Sequence, residues 1–140
     1  MIKMAERWFD DEDKLRTFVF ALQNKVQKIF DKYSIDMNDW QWIEREDGTK
    51  DLVISGDVTG EETCVYNQRD ADDWDDMDID FDTEVEIGAY SKEHLLEITK
   101  QQFFEEAVKD LTRDIRWCVE NKVEYLYERM TEEDPDRYRD

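Results

Sequence analysis

Several things are scarce in this chain of 140 residues. It has one proline, Pro135, and four glycines. That leaves no Gly/Pro-rich linker between domains and no glycine-rich loop of the kind that cradles phosphate. Its one histidine, His94, sits beside Glu93 and Glu97, with no Cys–His or Gly-x-Ser-x-Gly pattern to complete a nucleophilic site. His94 therefore reads as a surface or edge histidine. The two cysteines, Cys64 and Cys118, lie far apart with no paired spacing, so they read as free, buried thiols in a reducing compartment. No apolar run approaches the roughly 18–20 residues of a membrane-spanning helix. The opening "MIKMAERWFDDEDK" lacks the apolar core of a signal peptide. The expectation is a cytoplasmic protein of one domain, residues 1–131, with a frayed acidic tail at 132–140.

Positive charge is scarce beside negative. Nineteen basic residues stand against 39 acidic ones, a net charge of −20. Such a field repels nucleic acid and anionic membranes, attracts basic surfaces, and works against folding by self-repulsion. A nuclease would need a basic patch for its phosphodiester substrate, and none is visible. No catalytic residue and no cofactor is assigned, and direct binding to nucleic acid or membrane is not expected. What the chain does have is apolar surface: 39% hydrophobic and 13% aromatic residues, too much for a disordered acidic protein.

The apolar residues fall into periods. From about Asp10 to Tyr33, Leu15, Phe18, Val19, Leu22, Val26, Ile29, Phe30 and Tyr33 mark one helical stripe, with "DDED" at the helix's positive end. Asp47-Gly48 signals a hairpin between two strands, Trp40 and Trp42 sharing a face on one and Leu52 and Ile54 on the next. A second turn around Thr59-Gly60-Glu61 would lead to a third strand, "TCVYN". Asn67 to Asp73 reads as a polar loop, and "DADDWDD", Asp70 to Asp76, is loop-like. After Gly88 there are two readings. Ser91 could cap a helix through "KEHLLEI", or "HLLEI" is a fifth strand and Thr99 to Gln102 a capping box opening the last helix. The strand reading is preferred. From Gln101 to about Met130 a long helix carries Phe104, Ala107, Val108, Leu111, Ile115, Cys118, Val119, Val123, Leu126 and Met130 on its stripe. Trp117, Tyr125 and Tyr127 lie off it, as a second packed face or a dimer contact. The expected fold is α+β: an N-terminal helix, an antiparallel meander of four or five strands and a long C-terminal helix, with both helices on one sheet face.

One segment stands apart. "DADDWDDMDIDFDTEVEI" carries ten carboxylates, Asp70, Asp72, Asp73, Asp75, Asp76, Asp78, Asp80, Asp82, Glu84 and Glu86, and no base. Its second part alternates strictly, Ile79, Phe81, Val85 and Ile87 one way and the last five carboxylates the other. A half-buried strand with a fully acidic solvent face is expected. A calcium loop is not, because the glycine and glutamate places of an EF-hand hold Phe81 and Ile87 in one frame, Thr83 and Ala89 in the other. Divalent cations should bind only weakly, with no dedicated metal site. Glu106, Asp110 and Asp114, then Glu120, Glu124 and Glu128, form a secondary acidic ridge at four-residue spacing on the last helix.

Carboxylates at i, i+2 on a strand lie roughly 6.6–6.8 Å apart. Phosphates along one DNA strand are separated by about 7 Å once winding is included. In composition and charge geometry the chain resembles acidic DNA-mimic inhibitors, many of them from phages, which block restriction enzymes, CRISPR effectors or other nucleases. No residue motif ties it to a named family, and no functional residue is carried over. The likeness implies a non-enzymatic inhibitor, monomer or homodimer, acting on a basic, nucleic-acid-binding protein in the host cytoplasm. The alternative is an immunity protein or antitoxin that neutralises a basic toxin. An acidic structural or assembly protein is a lesser one, since a salt-adapted surface would spread its acids evenly.

Overall fold

The computed structural model describes residues 7–67 and 74–132. A single 3-10 turn, Trp8–Asp10, leads into helix α1, Glu12–Ile29. Strands β1, Ser34–Glu44, β2, Lys50–Asn67, and β3, Trp74–Ser91, follow. A short helix α2, Lys92–Glu97, precedes the long helix α3, Lys100–Glu132. The strands form one antiparallel sheet in the order β1-β2-β3. The α+β class is as expected, but among the described residues three long strands replace the four or five.

The helices start where local chemistry tells them to. The Asp11 carboxylate accepts from the Asp13 N–H at 2.9 Å, and Glu12 and Asp13 stand at the positive end of α1. Leu15, Phe18, Val19, Leu22 and Val26 are buried as the stripe requires, but Ile29, where the helix ends, is 43% exposed. On α3 the sealed residues are Phe103, Ala107, Leu111, Ile115 and Val119; the expected Phe104 is only half-buried. Phe103 is the one that stacks on Phe18 (5.2 Å between rings) and meets Tyr90 edge-on (4.8 Å). The preferred fifth strand at "HLLEI" does not form. Ser91 Oγ accepts from the His94 N–H at 3.1 Å and starts α2, which buries Leu95 alone. The capping box also forms: Thr99 Oγ1 accepts from the Gln102 N–H and Gln102 Oε1 from the Thr99 N–H. The two cap signals are used in succession.

The turn expected at Thr59-Gly60-Glu61 is absent, and β2 runs straight through it. Gly60 lies opposite Phe81 in the ladder, and a Cβ there would sit 2.8 Å from Tyr33 Cδ1 and 3.1 Å from Phe81 Cζ. The glycine serves close approach of two rings, which a strand interior accommodates as readily as a turn does. The polar loop is shorter than expected for a related reason. Trp74, Asp75 and Asp76 already pair with Asn67, Tyr66 and Val65, so β2 and β3 make one long ribbon. Asn67 is likewise a strand residue; 68–73 lie outside the described residues, as do 133–140 of the expected tail.

Buried residues of the strands and of α1 and α3 form one core cluster, so the helices share one face of the sheet. Helix side chains also bond to both sheet edges. Gln23 Oε1 accepts from the Met37 N–H (2.8 Å) and Gln27 Oε1 from the Ile35 N–H (2.9 Å) on β1. Asp114 accepts from the Glu86 N–H (2.9 Å) on β3. These three edge N–H groups are thereby withheld from other chains.

The role given to Gly60 has a measurable consequence. Gly60→Ala should lower stability by roughly 1–3 kcal/mol through overpacking against Tyr33 and Phe81. Urea unfolding measures this; a shift below about 0.5 kcal/mol would mean that the two rings give way and that their close approach is not what requires glycine.

Candidate protein-interaction surface

Alternation builds the surface. In β3, Ile79, Phe81, Val85 and Ile87 are buried, while Asp78, Asp80, Asp82, Glu84 and Glu86 are exposed. The outer face continues across the sheet, which the sequence reading missed. In β2, Asp57 and Glu61 face out between buried Gly56 and Val58 and part-buried Gly60 and Glu62. In β1, Asp36 and Asp39 face out, although three residues apart, because a bulge shifts the register between them. Gly56 makes that bulge possible: a Cβ there would lie 2.2 Å from the Asp36 carbonyl oxygen. The signal for Asp57 and Glu61 was present as period-two alternation in "GDVTGEET", but its two glycines read as turn residues.

The result, among the described residues, is a two-dimensional field of nine exposed carboxylates. Asp36, Asp57 and Glu84 are direct neighbours across the three strands, and Glu61 faces Asp80. Directly opposed residues have Cα atoms about 4.5–5.5 Å apart, a spacing at which like charges oppose folding. Ser55, Thr59 and Thr63 fill gaps in the field, and Thr63 Oγ1 donates to Asp78 at 2.8 Å. At the hairpin end Asp51 is buried and gripped by Arg45, Nε to Oδ2 and Nη2 to Oδ1 both at 2.6 Å.

Charge is sorted by element. The three strands hold fourteen carboxylates and one base, Lys50, at the first position of β2. Helices α1 and α3 together hold ten carboxylates and ten bases. The excess negative charge of the described fold therefore resides mainly in the sheet.

The other site residues separate into groups. Asp70, Asp72 and Asp73 lie outside the described residues. Asp75 and Asp76, expected in a loop, belong to the backbone of β3. Glu106, Asp110 and Asp114 do not form a free ridge, because each is spent on holding α3 to its neighbours. Glu106 Oε2 is 2.7 Å from His94 Nε2. Asp110 accepts from the Tyr90 hydroxyl at 2.6 Å and pairs with Arg113. Asp114 takes the Glu86 N–H. Glu120, Glu124 and Glu128 are exposed.

The chemistry on offer is modest. Among the described residues no three His, Cys, Asp or Glu side chains are grouped to hold a metal ion. Cys118 is a free thiol, and burial, with Asp114 beside it, pushes its pKa up to about 11. A thiol so placed is protonated at neutral pH and is a poor nucleophile. No described helix is long and apolar enough to cross a membrane. No family model matches the sequence, and neither a curated protein nor a solved structure matches the chain.

The packed carboxylates leave a mark on titration. The Glu61 carboxyl is held above its usual range by a hydrogen bond shared with Asp80, then by the charges of Asp78 and Asp80. The folded chain takes up that proton before the unfolded chain does, so stability should rise as pH falls through the raised value. Three carboxyls oppose this on further acidification. Asp10 is held low by Arg7 and Lys92, and Asp47 by Thr49. Glu62, raised by burial, is brought below its usual value by Lys32 and Tyr33. Their stabilisation is lost as pH drops through their depressed values. Urea midpoints should therefore climb from pH 7 toward the ordinary glutamate range and then fall. Glu61→Gln should be more stable than the native chain at pH 7 and lose part of the climb. Added salt at pH 7 should raise the melting temperature, since neighbours about 5–7 Å apart lie inside the roughly 10 Å Debye length at 0.1 M and outside the roughly 3 Å length at 1 M. A flat pH and salt profile would mean that the field is compensated locally.

Proposed function

We propose that the protein is a non-enzymatic inhibitor that binds a basic, nucleic-acid-handling protein by offering its sheet face where that protein expects DNA phosphates. The observation carrying this reading is the outer face itself: among the described residues, nine exposed carboxylates on three strands whose one base is Lys50 at the start of β2, on a fold whose long helices are charge-balanced. An acidic surface needed only for solubility would spread its charge over helices and sheet alike, and would intersperse both signs. Within β3 the carboxylates recur at roughly 6.6–6.8 Å, close to the phosphate repeat of one DNA strand. A rigid sheet presents them without the entropy loss that a disordered acidic tail would suffer on binding. Phage anti-defence proteins acting on restriction or RNA-guided nucleases are the class this chemistry suits.

One feature favours a second reading. The carboxylate columns of neighbouring strands are only about 4.8 Å apart and form a continuous field, where duplex DNA has two lines of charge separated by a groove. A continuous field suits an immunity protein covering the basic surface of a toxin. Competition with DNA separates the two.

Replacing Asp78, Asp80, Asp82, Glu84 and Glu86 together by Asn or Gln keeps shape and removes charge. Circular dichroism should show the fold intact, because all five side chains face water. Assayed against a panel of restriction and RNA-guided nucleases, the native protein should inhibit at least one in competition with DNA. The variant should associate with that target on the order of tenfold to a hundredfold more slowly at low salt. A folded variant that inhibits at full strength would remove β3 from the interface. Inhibition with DNA still bound would replace mimicry by the immunity reading.

A further inference from the structure

A second surface feature lies on the helix side of the sheet, away from the carboxylate field. Pairing of β1 with β2 ends at Ser34 opposite Thr59, while β2 continues to Asn67. Helix α1 has already stopped at Ile29, while α3 continues to Glu132. Where the first pair gives out, a cleft of about 650 Å³ opens, within the roughly 300–1,000 Å³ typical of ligand sites. Val119, Val123 and Tyr127, spaced by four on α3, line one side, and Tyr33, from the connection between α1 and β1, also lines it. The remaining lining residues, Glu62, Glu120 and Glu124, are all acidic. Glu62 is already engaged, with Lys32 Nζ at 2.7 Å and the Tyr33 hydroxyl donating to it. Glu120 and Glu124 are exposed, one turn apart, beside the apolar stripe.

An apolar lining edged by carboxylates excludes several occupants. Lipid headgroups, nucleotides and nucleic acid are anionic, and a second copy of the chain carries the same −20 charge. The geometry points to a docking site for an arginine-bearing, apolar segment of a basic partner protein. An aliphatic side chain of that segment would lie against Val119 and Val123, and a guanidinium between Glu120 and Glu124 would meet a tyrosine ring. Arginine suits the place better than lysine, because its planar, weakly hydrated head both stacks on aromatic rings and pairs with carboxylates. The site stands independently of the sheet-face reading, since neither its residues nor its side of the sheet are shared.

The test uses the full chain and a capped Arg-Leu-Leu-Arg peptide at about 0.15 M salt, where the Debye length is about 8 Å. In an NMR titration the Val119 and Val123 methyl signals and the Tyr33 ring signals should shift. Glu120→Gln with Glu124→Gln should weaken binding about tenfold, as expected for two exposed ion pairs. The Lys-Leu-Leu-Lys peptide should bind more weakly, and the five-fold β3 variant should keep the cleft shifts. Absence of shifts at Val119 and Val123 would overturn the site. Shifts lost equally in the β3 variant would also overturn it, showing that net charge holds the peptide. Binding that appears only after residues 133–140 are removed would make the chain's own Arg137-Tyr138-Arg139 the occupant and defeat the partner assignment.

Discussion

Carboxylates can be held at close spacing only if the residues between them are anchored, and in β3 the anchors are Ile79, Phe81, Val85 and Ile87, all buried. Each contributes roughly 1.5–3 kcal/mol on burial. The strict period of two turns that burial into orientation: apolar side chains go down, and charge of one sign goes up. β2 extends the same rule to Asp57 and Glu61, and the bulge in β1 preserves it for Asp36 and Asp39. A one-residue slip in any strand would bury carboxylates, so the field itself enforces the register.

The rest of the fold accommodates what the sheet carries. The balanced helices add little to the repulsion, and several of their polar side chains serve as fasteners. Gln23 and Gln27 secure β1, while Asp110 and Asp114 tie α3 to Tyr90 and to the Glu86 N–H. A carboxylate at Asp114 that accepts an edge N–H is part of the architecture, whereas one at Glu84 that faces water has no such employment. This separation of employed from unemployed acids directs attention to the outer face.

Much of this was legible in the sequence. The helical stripes, apart from Ile29 and Phe104, the Asp47-Gly48 hairpin and the β3 alternation rest on short-range periodicity and are present in the fold. What failed was long-range. Gly60 carries a turn signal locally, and only the rings of Tyr33 and Phe81, brought from elsewhere, explain it as a strand residue. Phe103 and Phe104 are adjacent, and the choice of Phe103 for the core follows from Phe18 and Tyr90 across the layer. The acidic face was seen as one line because its other columns come from strands paired across the sheet. The contacts of Glu106, Asp110 and Asp114 with His94, Tyr90 and the Glu86 N–H were missed for the same reason: these partners come from other elements.

Asp57 lies at the centre of the field, between Asp36 and Glu84, and it tests the central claim most directly. The claim is that the face is kept despite its effect on folding. The measurement is the urea midpoint of Asp57→Asn against the native chain, at low and at high salt. The account predicts a higher midpoint for the variant at low salt, with the difference fading as salt screens the neighbours. A lower midpoint at both salt concentrations would contradict it, since Asp57 would then support the fold and the field would need no function to explain it.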